Sequence, residues 1–320
     1  MIAAQGRLGA GLTGAQLAGL GLLLAAIVGP FVLYPVFLMK ALCYALFACA
    51  FNLLIGYVGL LSFGHAAYFG WASYTTAYSV KMWGLSPVEG ILLGTLVATV
   101  MGAAFGWLAI RRQGIYFAMI TLALAQMVYF VALEAKFTGG EDGIQAVPRG
   151  TLFGFVDLDQ PFAMYYFVLA IFLIGFAIVQ RAIHSPFGQV LKAIRENEPR
   201  AVSLGYRVER YKLLAFILST ALSGLAGSTK ALVFQLASLT DVHWATSGDV
   251  TLMVLLGGIG TVLGPVIGAF ISVSMENYLV QFGSWVTVIQ GTIFIVFVLV
   301  FRRGFVGEIE AQFRRRRARA

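Results

Sequence analysis

Long apolar runs recur along this chain from residue 17 to residue 301, and its polar residues gather in the breaks between them. A helix that crosses a membrane needs about 20 mostly apolar residues. The pattern therefore predicts spans at 17–34, 36–55, 60–80, 90–110, 115–133, 162–180, 213–236 and 285–301. A further apolar stretch, 250–275, has the length of a span without its continuity. It contains Gly257, Gly258, Gly260, Gly264, Pro265 and Gly268, residues that weaken or break a helix. Two short half-helices that enter the membrane and return are predicted there, their irregular connection buried in protein or lining a cavity. A second glycine-rich stretch, Gly56, Gly59, Gly64 and Gly70, lies in the amino-terminal half. Paired interrupted segments point to a transport site, although the two spacings do not establish a repeat.

Composition supports this reading. Of 320 residues, 60% are hydrophobic and 11% charged, against about 45–50% apolar and about 25% charged in a globular domain. A soluble protein is excluded, and 1–320 reads as one all-α, polytopic transmembrane helical bundle with broken or re-entrant helices. Arg7 before an apolar stretch imitates a signal peptide, but no A-x-A site follows, so 17–34 is expected to remain as a first helix. Cys43 and Cys49 share one apolar run without metal-ligand spacing and read as packing residues.

The net charge of +8 reports topology rather than nucleic acid, because the cations sit between spans and in a basic tail within 302–320. With both termini cytoplasmic, the inside carries Arg7, Arg111, Arg112, the seven cations of 181–212, Arg302, Arg303 and the five arginines of 314–319, or 17 of 22. The positive-inside rule favours that orientation, and the returning 250–275 segment preserves its parity. The acidic loop with Glu141, Asp142, Asp157 and Asp159 then lies outside. The tail either attracts anionic membrane lipid or enforces topology. Lys40, Lys81, Glu134, Lys136, Lys230, Asp249 and Glu276 fall near span ends, within reach of the interface.

The cytoplasmic loop 181–212 has enough mixed polarity to fold. Ser185 can N-cap a helix with Pro186 in its first turn, placing Val190, Leu191 and Ile194 on one face and Lys192, Arg195 and Glu196 elsewhere. Pro199 can start a second short helix that Gly205 ends. Such an elbow can dock on a soluble partner such as an ATPase subunit, or it can be a solvated connection touching anionic lipid. The residues themselves leave both readings open.

Several runs resemble the LivM-type permeases of branched-chain amino acid ABC importers. They are 56–65 (GYVGLLSFGH), 114–126 (GIYFAMITLALAQ), the external 138–143 (TGGEDG), and 255–260 (LLGGIG) followed by Gly264 and Pro265. In the elbow, Phe187, Gly188, Ala193, Ile194, Arg195, Glu196, Asn197, Ala201 and Gly205 resemble the family's ATPase-coupling segment. Of the EAA signature of other importer permeases, only the spacing from Ala201 to Gly205 survives. The resemblance covers about 52–275. It implies a LivH-like second permease, two ATP-hydrolysing subunits that use ATP and Mg, an external substrate-binding protein, and an inner-membrane location. The same family includes permeases that resemble transporters of urea and short amides.

This chain carries no phosphate-cradling motif, since Gly224–Lys230 ends in the wrong order, and no cofactor is expected on it. Gly258, Gly260 and Gly264 imitate a dinucleotide fingerprint with the wrong third spacing. His65, His184 and His243 lie apart, and no catalytic or metal set forms. Asn52, Ser62, His65, Thr121 and Gln126 are polar within apolar surroundings. They either line a path together with Gly257, Gly258 and Gly260 or bond between helices. The residues also admit an ion-coupled transporter, distinguished by dependence on an ion gradient, and a passive channel, distinguished by downhill flux from this chain alone.

Overall fold

The computed structural model describes residues 21, 26–152, 154–300 and 304–308. Arg7, residues 17–20 and 22–25 of the 17–34 span, Arg302, Arg303 and the arginines of 314–319 lie outside the described residues. The helices are α1 (Pro35–Asn52), α2 (His65–Met82), α3 (Pro87–Ala109), α4 (Ile115–Glu134), α5 (Pro161–His184), α6 (Pro186–Glu196), α7 (Glu198–Ser203), α8 (Val208–Phe234), α9 (Trp244–Gly257), α10 (Gly264–Leu279) and α11 (Val286–Val300). A π-helix, Leu53–Val58, extends α1. With this extension, α1 joins α3, α4, α5 and α8 as helices long and apolar enough to cross a membrane.

Burial sorts these helices into two layers. The most apolar stretches of α1 and α8 are 89% and 78% buried, whereas those of α3, α4 and α5 are 28%, 33% and 39% buried. The outer helices expose apolar faces, with Leu92, Leu96 and Val100 in register one turn apart on α3. Helix α2 is too polar to rank among the long apolar helices, and its position explains why that is tolerated. It packs on α3 and α8 with Ser73, Thr76 and Ser79 fully buried, so protein rather than lipid surrounds its hydroxyls.

Small residues set the spacing between the layers. Gly90, Gly94, Ala98, Gly102 and Gly106 recur every fourth residue along α3 and are all buried. A Cβ on Gly90 would meet Val80 of α2, while one on Gly102 or Gly106 would meet Thr220 or Phe216 of α8. Backbones can approach this closely only without side chains between them. The entrance to α3 is fixed by a capping box between Ser86 and Glu89, with Pro87 in the first turn.

The 250–275 stretch is broken as its glycines predict, with wider limits. Helix α9 begins at Trp244, and α10 runs to Leu279. Gly258 and Gly260 reverse the chain with φ of +114° and +78°, values that favour glycine. Gly257 then lies against the Gly264 carbonyl and Gly268 against the Met253 carbonyl, so α10 runs back along α9. Lys40, near the start of α1, pairs with Glu276, near the end of α10, at 2.8 Å. Asn52, at the other end of α1, bonds the hairpin turn. The turn therefore reaches one end of the bundle while both hairpin termini lie at the opposite end.

Two boundaries differ from expectation. The 60–80 span starts at His65, because Gly59 takes a left-handed φ of +82° and residues 59–64 form a non-helical loop. The elbow is shorter than 181–212, since α5 continues to His184 and α8 begins at Val208. At the opposite end, β1 (Ile144–Gln145) pairs with β4 (Leu236–Ala237), and β2 (Thr151–Leu152) pairs with β3 (Val156–Asp157). These strands form a small cap. Arg149 donates to the carbonyls of Leu232 and Val233 at 3.3 and 2.8 Å, satisfying acceptors at the end of α8. The Thr138 hydroxyl closes the end of α4 on the carbonyls of Ala132 and Ala135. Gly143 leaves no room for a Cβ beside the Ala237 carbonyl, which explains part of the TGGEDG run as cap architecture. Lys230 does not reach the interface as its position suggested. It is buried and bonded to buried Asp241 at 2.6 Å, because the 238–241 turn folds over it.

Candidate functional site

At the end opposite the cap, the elbow consists of α6 and α7. Ser185 caps α6 by accepting from the Gly188 amide, and Asn197 caps α7 by accepting from the Arg200 amide. Leu191 and Ile194 turn inward, and Ile194 packs with Ala201 and Val208 in a small separate core. Gly188 sits against the carbonyls of Ala182 and Ile183, where a Cβ would overlap the end of α5. Phe187 stacks on Tyr211 with ring centroids 5.9 Å apart. Glu198 accepts from Lys212 at 2.6 Å and from Gln113 at 2.8 Å, tying the elbow to α8 and to the α3–α4 connection.

Of the coupling residues singled out in the sequence, Gly188, Ile194 and Ala201 are buried, Phe187 is half-buried, and Ala193, Arg195, Glu196, Asn197 and Gly205 are exposed. The structure adds Val202, Leu204 and Tyr206, exposed apolar residues next to exposed Arg200 and Arg207. Sequence reasoning passed over them because 202–206 follows the short helix and has no periodicity of its own. Three large apolar residues within five positions of a water-facing turn were the available signal.

The two glycine-rich breaks meet beneath the elbow. The Asn52 amide donates to the Thr261 carbonyl at 2.9 Å, and its oxygen accepts from the Gly260 amide at 3.0 Å. One side chain thus satisfies both a donor and an acceptor of the turn, as an interior chain reversal requires. Arg195 donates to the Gly56 carbonyl. A Cβ on Gly59 would stand 3.1 Å from the Arg195 stem, and one on Gly260 would stand 3.2 Å from its guanidinium. The elbow, the end of α1 and the hairpin turn therefore converge on one arginine and one asparagine.

A second polar chain lies deeper. His65 is fully buried, with Nδ1 bonded to the Ser62 hydroxyl at 3.0 Å and Nε2 to that of Ser219 at 2.9 Å. Ser219 donates onward to the Ala50 carbonyl. Phe51, Tyr68 and Phe216 meet the His65 ring edge-on. Thr121 accepts from the Phe63 amide at 3.2 Å and donates to the Ala118 carbonyl at 2.9 Å. Ser62, His65 and Thr121 are thereby brought together around the 59–64 loop. Gln126 is half-buried on α4, and its side chain makes no hydrogen bond among the described residues. Gly257, Gly258 and Gly260 belong to the hairpin turn, which Asn52 joins to α1. Among the described residues, no group of three or more His, Cys, Asp or Glu side chains could hold a metal.

Comparison with known proteins adds the following. Residues 33–299 match the family model described as the permease component of branched-chain amino acid transport systems. The chain is 26% identical over 284 residues to the high-affinity branched-chain amino acid transport system permease protein LivM of Escherichia coli K12, covering 80% of this chain and 66% of that protein. It is 21% identical over 291 residues to the permease protein LivH of Salmonella typhimurium, covering 84% and 92% of the two chains. It is 28% identical over 230 residues to the ribose import permease protein RbsC of Bacillus subtilis, covering 69% and 70%. No solved structure matches the chain.

Proposed function

The chain belongs to the family of permease components of branched-chain amino acid transport systems, and from that premise we propose that it is one half of an ATP-driven importer for leucine, isoleucine and valine. The family match across the bundle carries this reading, and the elbow supports it. A second permease, similar to LivH, completes the path. Two ATPase subunits dock on the elbow, and a substrate-binding protein delivers solute to the cap end. ATP and Mg act on those ATPase subunits. Both termini of this chain lie in the cytoplasm of a cell whose inner membrane it spans.

Alternating access follows from the elbow's position. Closure of the ATPase subunits shifts α6 and α7, and with them α5 and α8 on either side. Phe187, Gly188, Ala193, Ile194, Arg195, Glu196, Asn197, Ala201 and Gly205 form the coupling segment, with Val202, Leu204 and Tyr206 as its apolar anchors and Arg200 and Arg207 beside them. Asn52, Gln126, Gly257, Gly258 and Gly260 border the path. Ser62, His65 and Thr121 hold the 59–64 loop beside it. Few charged groups are needed there, because high affinity can reside in the binding protein.

Uptake of labelled leucine into proteoliposomes tests the proposal, using this chain with its co-purifying partners, ATP on the elbow side and binding protein on the cap side. Dependence on both additions is expected. Uptake of urea, a short amide or ribose in place of leucine would retain the mechanism and overturn the substrate. Leucine uptake that follows an ion gradient without ATP would overturn the importer reading.

A further inference from the structure

The junction of Arg195 and Asn52 assigns a route to the elbow's movement. Three backbone segments, two of them irregular, surround these two side chains. The first is the π-helical end of α1, where the amides of Gly59 and Leu60 both turn to the Leu54 carbonyl and Arg195 takes up that of Gly56. Single π turns of this kind concentrate at functional sites. The second is α6 itself, which carries Arg195. The third is the hairpin turn, whose Gly260 amide and Thr261 carbonyl are both held by Asn52.

Space is matched as closely as polarity. A Cβ at Gly56 would overlap the Asn52 side chain, and one at Gly260 would press on the Arg195 guanidinium and the Gly56 carbonyl. A movement of α6 that displaces Arg195 must therefore disturb Gly56 and Gly260 together. Tightly packed contacts of this kind switch between discrete arrangements rather than deform gradually.

We propose that Arg195 and Asn52 are positioning residues that transmit elbow movement to the α9–α10 turn, making that turn the moving gate at the elbow end of the path. Movement of α5 and α8 alone does not open it. This inference rests on the ATP-driven reading above, and its test separates the two.

In the whole complex in nanodiscs, Ile259→Cys reports the turn and Leu214→Cys reports α8. Both native residues have exposed side chains, while Cys43 and Cys49 are buried. A charged thiol reagent is applied with and without trapping of ATP. Labelling at both positions is expected to change on trapping in the otherwise unaltered chain. With Asn52→Leu, or with Arg195→Lys as a second variant, the change at 259 is lost and the change at 214 persists. Uptake per ATP hydrolysed then falls by roughly tenfold, within the range of coupling between linked sites. A change at 259 that survives both variants overturns the relay and leaves the importer reading intact. No ATP-dependent change at either position in the unaltered chain overturns both.

Discussion

Gly102 of α3 lies so close to Thr220 that an added Cβ would overlap the threonine hydroxyl, whereas a Cβ on Gly248 would meet nothing within 4 Å. Their substitutions therefore separate packing from intrinsic helix propensity. Gly102→Val should destabilise by about 1–3 kcal/mol through overpacking, while Gly248→Ala should be neutral or slightly stabilising. Thermal unfolding in detergent measures both, and equal effects would contradict the close α3–α8 contact. Lys230 and Asp241 present a different case. Removing one member of a buried pair leaves an uncompensated charge, at a cost of about 3–5 kcal/mol. Lys230→Met alone should lower stability by that order, and adding Asp241→Asn should recover much of it. A double variant no more stable than the single would show that the pair does not act as a unit. The sequence placed Lys230 near a span end, but its partner lies in a turn 11 residues later whose fold over α8 has no periodic signature.

The elbow was legible because its signals are local. Ser185 and Pro186 mark a start, Leu191 and Ile194 an inward face, and Gly205 a stop with φ of +86°. Its outward surface was less legible, because Arg195, one turn after Leu191 at the edge of the apolar stripe, is exposed and yet bonds inward to Gly56. Direction within a helix can be read from spacing, but the reach of a long side chain depends on what lies beneath it. The start of α2 was misread for a related reason. Leu60, Leu61 and Phe63 continue an apolar run, yet Gly59 and Gly64 bound a buried loop there. At this scale the exposed apolar residues carry the prediction. Leu204→Asp should reduce recovery of ATPase subunits with the permease while leaving its own membrane insertion unchanged. Quantitative co-purification checks this, and undiminished recovery would move the docking surface elsewhere.

For the molecule as a whole, the hairpin decides how many times the chain crosses. Helices apolar on every side hide which face meets lipid, whereas the hydroxyls of Ser73, Thr76 and Ser79 on α2 were a signal of its enclosed position that the span count passed over. Broken helices show themselves through glycine and proline, and there the sequence was informative. The structure adds a reason the break is tolerable. An unpaired amide and carbonyl at membrane depth are costly, and Asn52 meets one of each at Gly260 and Thr261. With the turn so satisfied, α9 and α10 need not cross separately, and their outer termini share the end that carries the strand cap. Single cysteines at Trp244, Tyr278 and Phe155 should thus label from one face of the membrane, and a cysteine at Val202 from the other. All four native side chains are exposed, and right-side-out and inverted vesicles distinguish the faces. If cysteines at 244 and 278 label from opposite faces, the segment crosses the membrane and α11 must run the other way. That result would also remove the hairpin turn from the elbow end, where Arg195 and Asn52 now hold it.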